Sequence, residues 1–244
     1  MRNIKLTLEY QGTRYHGWQR QKNAPSIQGH LEQAIEKVTG KKSTVFGAGR
    51  TDAGVHARAQ VANFKTSSKL PLDVLLRAIN AHLPKDIVVN EAEEVGRDFN
   101  ARKSARGKVY SYWIYDGPTR PALLRDFSYY SRHKLNERKM RRASRFFLGR
   151  HDFSAFRTSG SSTKTSVREI RYINVKRRGS RLVITVEGSG FLYNMMRSIV
   201  GTLIEVGRGK IEPLKVKEIL ESKDRSLAGP TAPPQGLFLR KVLY

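Results

Sequence analysis

The period of the hydrophobic residues changes along this chain in a fixed order, and the order occurs twice. Ile4, Leu6, Leu8 and Tyr10 alternate with polar residues, which is the two-residue period of a strand. Ser26 can cap a helix, and Ile27, Leu31, Ala34, Ile35 and Val38 follow at helical spacing. Thr44 to Phe46 and Gln60 to Lys65 read as strands. Pro71 suits a first helical turn, and Leu72, Leu75, Leu76 and Ile79 make the stripe behind it. Ile87 to Val95 returns to strand, so the first half runs β-α-β-β-α-β.

The second half repeats that order. Val109 to Tyr115 and Phe127 to Ser131 read as strands. Asn136 can cap a helix carrying Met140, Ala143, Phe146 and Phe147, with Gly149 near its end. Ile170 to Lys176 and Leu182 to Glu187 form a hairpin turning at Arg178-Gly179-Ser180. Phe191 to Val206 is the most apolar helix, Pro213 opens another with Val216, Ile219 and Leu220 inside, and Gly236 to Leu243 closes as a strand. Two such runs specify an α+β fold of two ferredoxin-like or RRM-like βαββαβ halves, with a basic cleft between them. The expected halves are residues 1–103 and 104–244. The first carries Asp52, and the second Tyr110, Arg197 and Leu237. The link between them is basic through Arg97, Arg102, Lys103, Arg106 and Lys108.

Charge narrows the class of partner. The 244 residues hold 46 Lys+Arg against 21 Asp+Glu, a formal net charge of +25. Such a field attracts polyphosphate backbones and speeds encounter with them. The RRM shares this topology and binds single-stranded RNA on its sheet, which is analogy at the level of fold alone. Arg138, Lys139, Arg141, Arg142 and Arg145 crowd one helix, and Lys176, Arg177, Arg178 and Arg181 crowd a hairpin. They fit contacts that hold a nucleic-acid backbone, although any one of them can equally be a solvated face. With no cysteine, disulfides, thiol chemistry and thiolate zinc sites are excluded. The six histidines show no metal-ligand spacing. No apolar signal segment or membrane span is visible, so the expectation is a soluble, cytoplasmic protein.

Against that basic background one acid stands out. In Gly47-Ala48-Gly49-Arg50-Thr51-Asp52-Ala53-Gly54-Val55-His56-Ala57-Arg58, three glycines surround a single carboxylate. Glycine permits unusual backbone conformations and close approach of a ligand. Asp52 can attack a carbon, take a proton or bind a metal, or it can simply cap its own backbone in an Asx turn. Arg50 favours its ionised form. Two-metal nuclease chemistry needs several converging carboxylates, and this loop offers one. His56 and Arg58 either touch phosphate or finish the loop. Tyr110, Tyr112 and Ile114 share one strand face, where an exposed ring would stack on a base and a buried one would be core. Arg197 sits on a helix that is apolar nearly all round. It needs either a partner such as Asp52 or a path to water.

These blocks resemble the tRNA pseudouridine synthase A family. Gly49-Arg50-Thr51-Asp52-Ala53-Gly54-Val55-His56-Ala57 is similar to its signature, and Tyr10-Gln11-Gly12-Thr13-Arg14-Tyr15-His16-Gly17-Trp18-Gln19 to its N-terminal block. Asn100-Ala101-Arg102, Met196-Arg197-Ser198-Ile199-Val200-Gly201 and Gly236-Leu237-Phe238-Leu239 match in order. The resemblance implies isomerisation of uridine to pseudouridine at positions 38, 39 and 40 of the tRNA anticodon stem-loop. It implies no cofactor and no metal, and a homodimer in which one tRNA touches both copies. Asp52 would be the nucleophile and Arg197 its partner. Tyr110 would stack on the uracil and assist proton removal, and Leu237 would pack under the base. Arg50 would hold the space the base leaves, with His56, Arg58 and Arg102 as further RNA contacts. An RNA-binding module without chemistry would explain the charge and leave the Asp52 loop without a purpose.

Overall fold

Both βαββαβ runs are present. The computed structural model describes residues 1–158, 163 and 165–244. In chain order the elements are β1 (Arg2–Tyr10), α1 (Ile27–Thr39), β2 (Phe46–Gly47), β3 (His56–Thr66), α2 (Leu72–His82), β4 (Ile87–Val95), β5 (Gly107–Tyr115) and β6 (Tyr129–Tyr130). There follow α3 (Glu137–Ser144), β7 (Gly149–Asp152), β8 (Val167–Arg178), β9 (Arg181–Gly188), α4 (Met195–Gly207), α5 (Lys215–Ser222) and β10 (Leu237–Leu243). The order β1-α1-β2-β3-α2-β4 is repeated as β5-α3-β8-β9-α4-β10. The chain divides into two units, Met1–Arg106 with Phe238–Tyr244, and Gly107–Leu237. Among the described residues no helix is long and apolar enough to cross a membrane.

In the first unit β1 lies between β4 and β3, antiparallel to both. The far edge of β3 is shared. The short β2 pairs with it at Asn63 and Ala62, and β10 runs parallel to it at His56 and Ala57. Ile4, Leu6, Leu8 and Phe64 from the strands, Leu31 and Ile35 from α1, and Leu75 and Ile79 from α2 are fully buried, as their period requires. Ser26 caps α1 by accepting a hydrogen bond from the Gly29 N–H at 3.3 Å. Pro71 stands one residue outside α2, where its carbonyl accepts from the Leu75 N–H. The strand expected over Thr44–Phe46 starts late for a specific reason. The Val45 N–H donates to the Glu32 carboxylate, and its carbonyl accepts from the Gln28 amide. Side chains of α1 thus take the backbone groups that a ladder would use. The turn after β4 is tied to the sheet by buried asparagines. The Asn3 amide donates to the carbonyls of Gly96 and Phe99, and the Asn63 carbonyl oxygen accepts from the Ala101 N–H at 2.8 Å.

In the second unit β5, β9, β8 and β7 follow one another, each antiparallel to the next, and β6 adds two residues parallel to β5. Leu182, Ile184 and Val186 fill the buried face of β9. Asn136 caps α3 by accepting from the Lys139 N–H. The rings of Phe147, Phe153 and Phe156 form a cluster with centroids 5.0–6.4 Å apart. Two expectations shift, and one strand is added. The strand over Phe127–Ser131 shrinks to β6, because the Phe127 N–H and the Ser128 hydroxyl both donate to the Leu124 carbonyl and close a turn. The helix expected from Phe191 begins at Met195, because Asn194 has φ +57° and a left-handed residue cannot extend the helix backward. Strand β7 is Gly149-Arg150-His151-Asp152, which has no apolar alternation to announce it.

One buried ion pair ties this unit together. The Asp116 side chain is 0% exposed and receives Arg177 through both guanidinium ends, at 2.7 and 2.8 Å. The Leu135 N–H donates to the same carboxylate, and the Leu135 carbonyl accepts from Arg177. Burial alone would raise the Asp116 carboxyl. The hydrogen bonds from Arg177 and Leu135, with the charges of Arg177 and Lys134, outweigh it and hold the group below the usual carboxylate range. Removing Arg177 strands a buried anion, so Arg177→Met should lower unfolding free energy by about 3 kcal/mol in urea melts at pH 7. A depressed carboxyl contributes stability above its unfolded pKa of about 3.9 and loses it as pH falls through the folded value. The gap between variant and parent should therefore narrow below about pH 4, and a gap independent of pH would contradict this account.

Candidate active site

The Asp52 loop is held in place by what its neighbours lack. Gly17 has φ +89°, and a Cβ there would lie 2.4 Å from the Thr51 carbonyl oxygen. A Cβ at Gly12 would lie 2.0 Å from the Val55 carbonyl oxygen. Only backbone without side chains can run this close. The segment from Gly12 to Trp18 thus lies directly against the loop. The Trp18 N–H donates to the Thr51 carbonyl at 3.0 Å, and the Gly54 N–H donates to the Tyr15 carbonyl at 3.2 Å. The Val55 N–H returns to the Asp52 carbonyl at 3.1 Å and closes a turn, with Gly54 at φ +77°.

Side chains brace the same loop from beneath. The Tyr10 hydroxyl and the Thr51 hydroxyl are 2.9 Å apart, and the fully buried Gln60 donates to the Gly49 carbonyl at 3.0 Å. Burial pushes the Tyr10 phenol up to about 12, against the hydrogen bonds of Thr51 and Gln60. It is therefore a neutral strut at physiological pH. His56 is 1% exposed, its Nδ1 accepts from the Gly12 N–H at 3.0 Å, and its ring stacks on Phe238. Of its two expected roles, this position supports finishing the loop. Thr51 and Val55 are buried while Asp52 between them is half-buried. The loop is held at both ends by these bonds, with the half-buried Asp52 between them.

The basic residues expected around Asp52 are exposed. The Arg50 Nε donates to the Gln19 side-chain oxygen at 3.1 Å. Arg58 lies on β3, and Arg240 lies near it on the parallel β10, whose Leu239 is paired with Ala57. Burial, then the charge of Arg58, lowers the Arg240 guanidinium. Arg102 is exposed on a turn in which the Asn100 side chain accepts from the N–H groups of residues 102 and 103.

The second unit carries the remaining expected residues. Tyr110 on β5 is 7% exposed, and its ring meets Phe191 edge-on at 5.0 Å. Tyr112, two residues on, is fully buried and donates from its hydroxyl to the Pro233 carbonyl at 2.7 Å. Burial pushes the Tyr112 phenol up strongly, and the nearby charge of Arg197 opposes it. Arg197 is half-buried, its Nε donates to the Ala232 carbonyl at 2.7 Å, and its Nη1 donates to Asn194 Oδ1 at 2.9 Å. The Arg197 carbonyl accepts from the Ala232 N–H, and Thr202 Oγ1 from the Gly229 N–H. The segment from Gly229 to Pro233 is therefore strapped along α4, which aims the guanidinium. Leu237, just beyond, is buried. Among the described residues no group of three His, Cys, Asp or Glu is placed to hold a metal ion.

The family model described as tRNA pseudouridine synthase matches residues 7–102 and 143–244 of the chain. The chain belongs to the tRNA pseudouridine synthase family. It is 53% identical over 244 residues to tRNA pseudouridine synthase A of Acetivibrio thermocellus, with each chain covered completely. It is 50% identical to tRNA pseudouridine synthase A 2 of Clostridium perfringens and 48% identical to tRNA pseudouridine synthase A of Caldicellulosiruptor bescii, again with full coverage of both chains. It is accordingly an isomerase that forms pseudouridine in tRNA.

For a pseudouridine synthase the residues missed by sequence reading are those that fix the loop. In the sequence Tyr10 and Gln60 read as ordinary strand positions. The available signal was Gln60 at the same two-residue period as Ala62 and Phe64, a polar residue in step with apolar ones. The packing against Gly17 yields a test. Gly17→Ala should slow single-turnover pseudouridine formation at least about tenfold by displacing the loop. It should also cost about 1–3 kcal/mol of stability through backbone strain. An unchanged rate would show that the loop does not depend on this contact.

Proposed function

We propose that the enzyme converts uridines 38, 39 and 40 of the tRNA anticodon stem-loop to pseudouridine, with Asp52 as nucleophile and the target base flipped from its stack. The observation that carries the reading is the Asp52 loop itself. It is a single acid, half-buried, on a backbone braced by the Gly12–Trp18 segment and by buried side chains, set in a chain of net charge +25. A base inside a stacked stem is out of reach of a side chain, so extrusion must precede attack.

The atoms balance without an added reagent. The N1–C1′ bond breaks, the uracil turns, and a C5–C1′ bond forms. C5 then loses its proton, and N1 gains one. Asp52 first bonds to C6 of the base, to be eliminated once the C5–C1′ bond has formed, or to C1′ of the ribose, to be displaced there by C5. Arg197, anchored at Ala232 and Asn194, keeps Asp52 ionised. Tyr110 stacks on the detached base and assists the C5 proton. Leu237 supports the opposite side. Arg50 holds the space left in the stem. Arg58 and Arg102 contact the RNA backbone, and His56 holds the loop that carries Asp52. The enzyme works in the cytoplasm as a homodimer in which one tRNA reaches both copies, so light scattering should give twice the chain mass.

Release of tritium from C5-labelled uridine in tRNA reads the reaction directly. Asp52→Ala should lower it at least about ten-thousandfold, as loss of a nucleophile does. Affinity for tRNA should stay within a few-fold, because phosphate contacts supply most of it. Retained release in that variant would refute the assignment. Tyr110→Phe keeps the ring and loses the hydroxyl, so an unchanged rate would leave Tyr110 a stacking role alone.

A further inference from the structure

A chain of hydrogen bonds within the first unit runs from a buried carboxylate to Arg50, and its direction is fixed. Glu32 and Gln28 lie one turn apart on α1, and both are buried. The Gln28 Nε2 donates to Glu32 Oε1 at 3.0 Å and to the Val45 carbonyl at 3.2 Å. Both partners can only accept, so this atom must be the nitrogen. The Gln28 Oε1 accepts from the Arg20 backbone N–H at 3.0 Å, a group that can only donate, so that atom must be the oxygen. The amide is therefore locked in one orientation. The same oxygen accepts from the Gln19 Nε2 at 2.9 Å. That contact forces the amide of the exposed Gln19 to turn its oxygen outward, where it accepts from the Arg50 Nε at 3.1 Å.

We infer that Gln19 and Gln28 are positioning residues that aim the Arg50 guanidinium by transmitting the polarity of Glu32. A glutamine amide turned the other way would present a donor to a cation and push it away. Buried polar groups with every partner satisfied hold a geometry rigidly. The placement of Glu32 is itself fixed, because its Oε1 accepts from the Val45 N–H and its Oε2 from Arg20 Nη1. The inference rests on the reading of Arg50 as the group that holds the space left by the flipped base. An arm that acts only once the base has left its stack affects the rate more than the affinity for tRNA.

The test is a double-mutant cycle read as single-turnover rate at saturating tRNA, with tRNA Kd and Tm measured on the same proteins. Gln19→Met keeps length and removes both hydrogen bonds at an exposed position. It should slow the reaction roughly five- to tenfold, with Kd within about twofold and Tm unchanged. Added to Arg50→Ala, it should cause no further loss. Gln28→Met does not touch Arg50, yet it should slow the reaction comparably and should also add nothing to Arg50→Ala. A slow Arg50→Ala beside a Gln19→Met of parental rate overturns the inference alone, as do losses that multiply. A parental rate for Arg50→Ala overturns the reading of Arg50 and the inference with it.

Discussion

The approach of two backbones at Gly17 and Thr51 is the contact on which the rest of the first unit depends. A methyl group at residue 17 would meet the Thr51 carbonyl oxygen at 2.4 Å. Its absence lets the segment after β1 lie flat against the loop and exchange hydrogen bonds with it from Tyr15 and Trp18. Without that segment the loop would be a glycine-rich connection with many conformations, and ordering it would cost entropy at the moment of reaction. Here most of that ordering is complete when the protein folds. In the proposed role of Asp52, such preorganisation matters more than proximity to other acids.

The same economy explains the chemistry of the supports. Tyr10, Thr51, Gln60 and His56 are buried polar groups, and each would destabilise the fold if left unpaired. Each finds its partner in the loop or in the segment facing it. A shift of the loop would therefore break several buried hydrogen bonds at once. Its rigidity is cooperative, which a set of apolar contacts would not provide, since these tolerate sliding. Arg197 follows the same logic in the second unit. A charge on an apolar helix is acceptable because a carbonyl and an amide oxygen receive it there, and because the strap from Gly229 to Pro233 is itself bonded to α4.

Periodicity made the element order legible, since burial on one face imposes a two-residue period on β1 and a helical period on α1. It failed where side chains replaced the backbone's usual partners. Val45 has a strand-forming side chain, yet Gln28 and Glu32 occupy its backbone groups. Phe191 to Asn194 is apolar enough for a helix, yet Asn194 sits in the left-handed region and sets the start of α4 later. Strand β7 has no apolar alternation and owes its place to β8. Asp52 stands out in the sequence because a lone acid among glycines in a basic chain is chemically odd. The braces behind it do not, because Tyr10 and Gln60 show their function only when their partners are known.

The same contrast separates two kinds of residue in any site. Residues that meet the substrate carry the unusual chemistry and stand out by type. Residues that aim them are chosen for hydrogen-bonding direction, and direction is invisible in a sequence. Gln28 illustrates the point. Its side chain has a donor end and an acceptor end, and Glu32 and the Arg20 N–H between them decide which faces where. A carboxylate at that position would place two anions side by side, and a leucine would remove the bonds made by the Arg20 N–H, the Val45 carbonyl and the Gln19 Nε2. Only an amide satisfies both sides, so the identity of residue 28 follows from the bonds it must make, although the residue itself is buried.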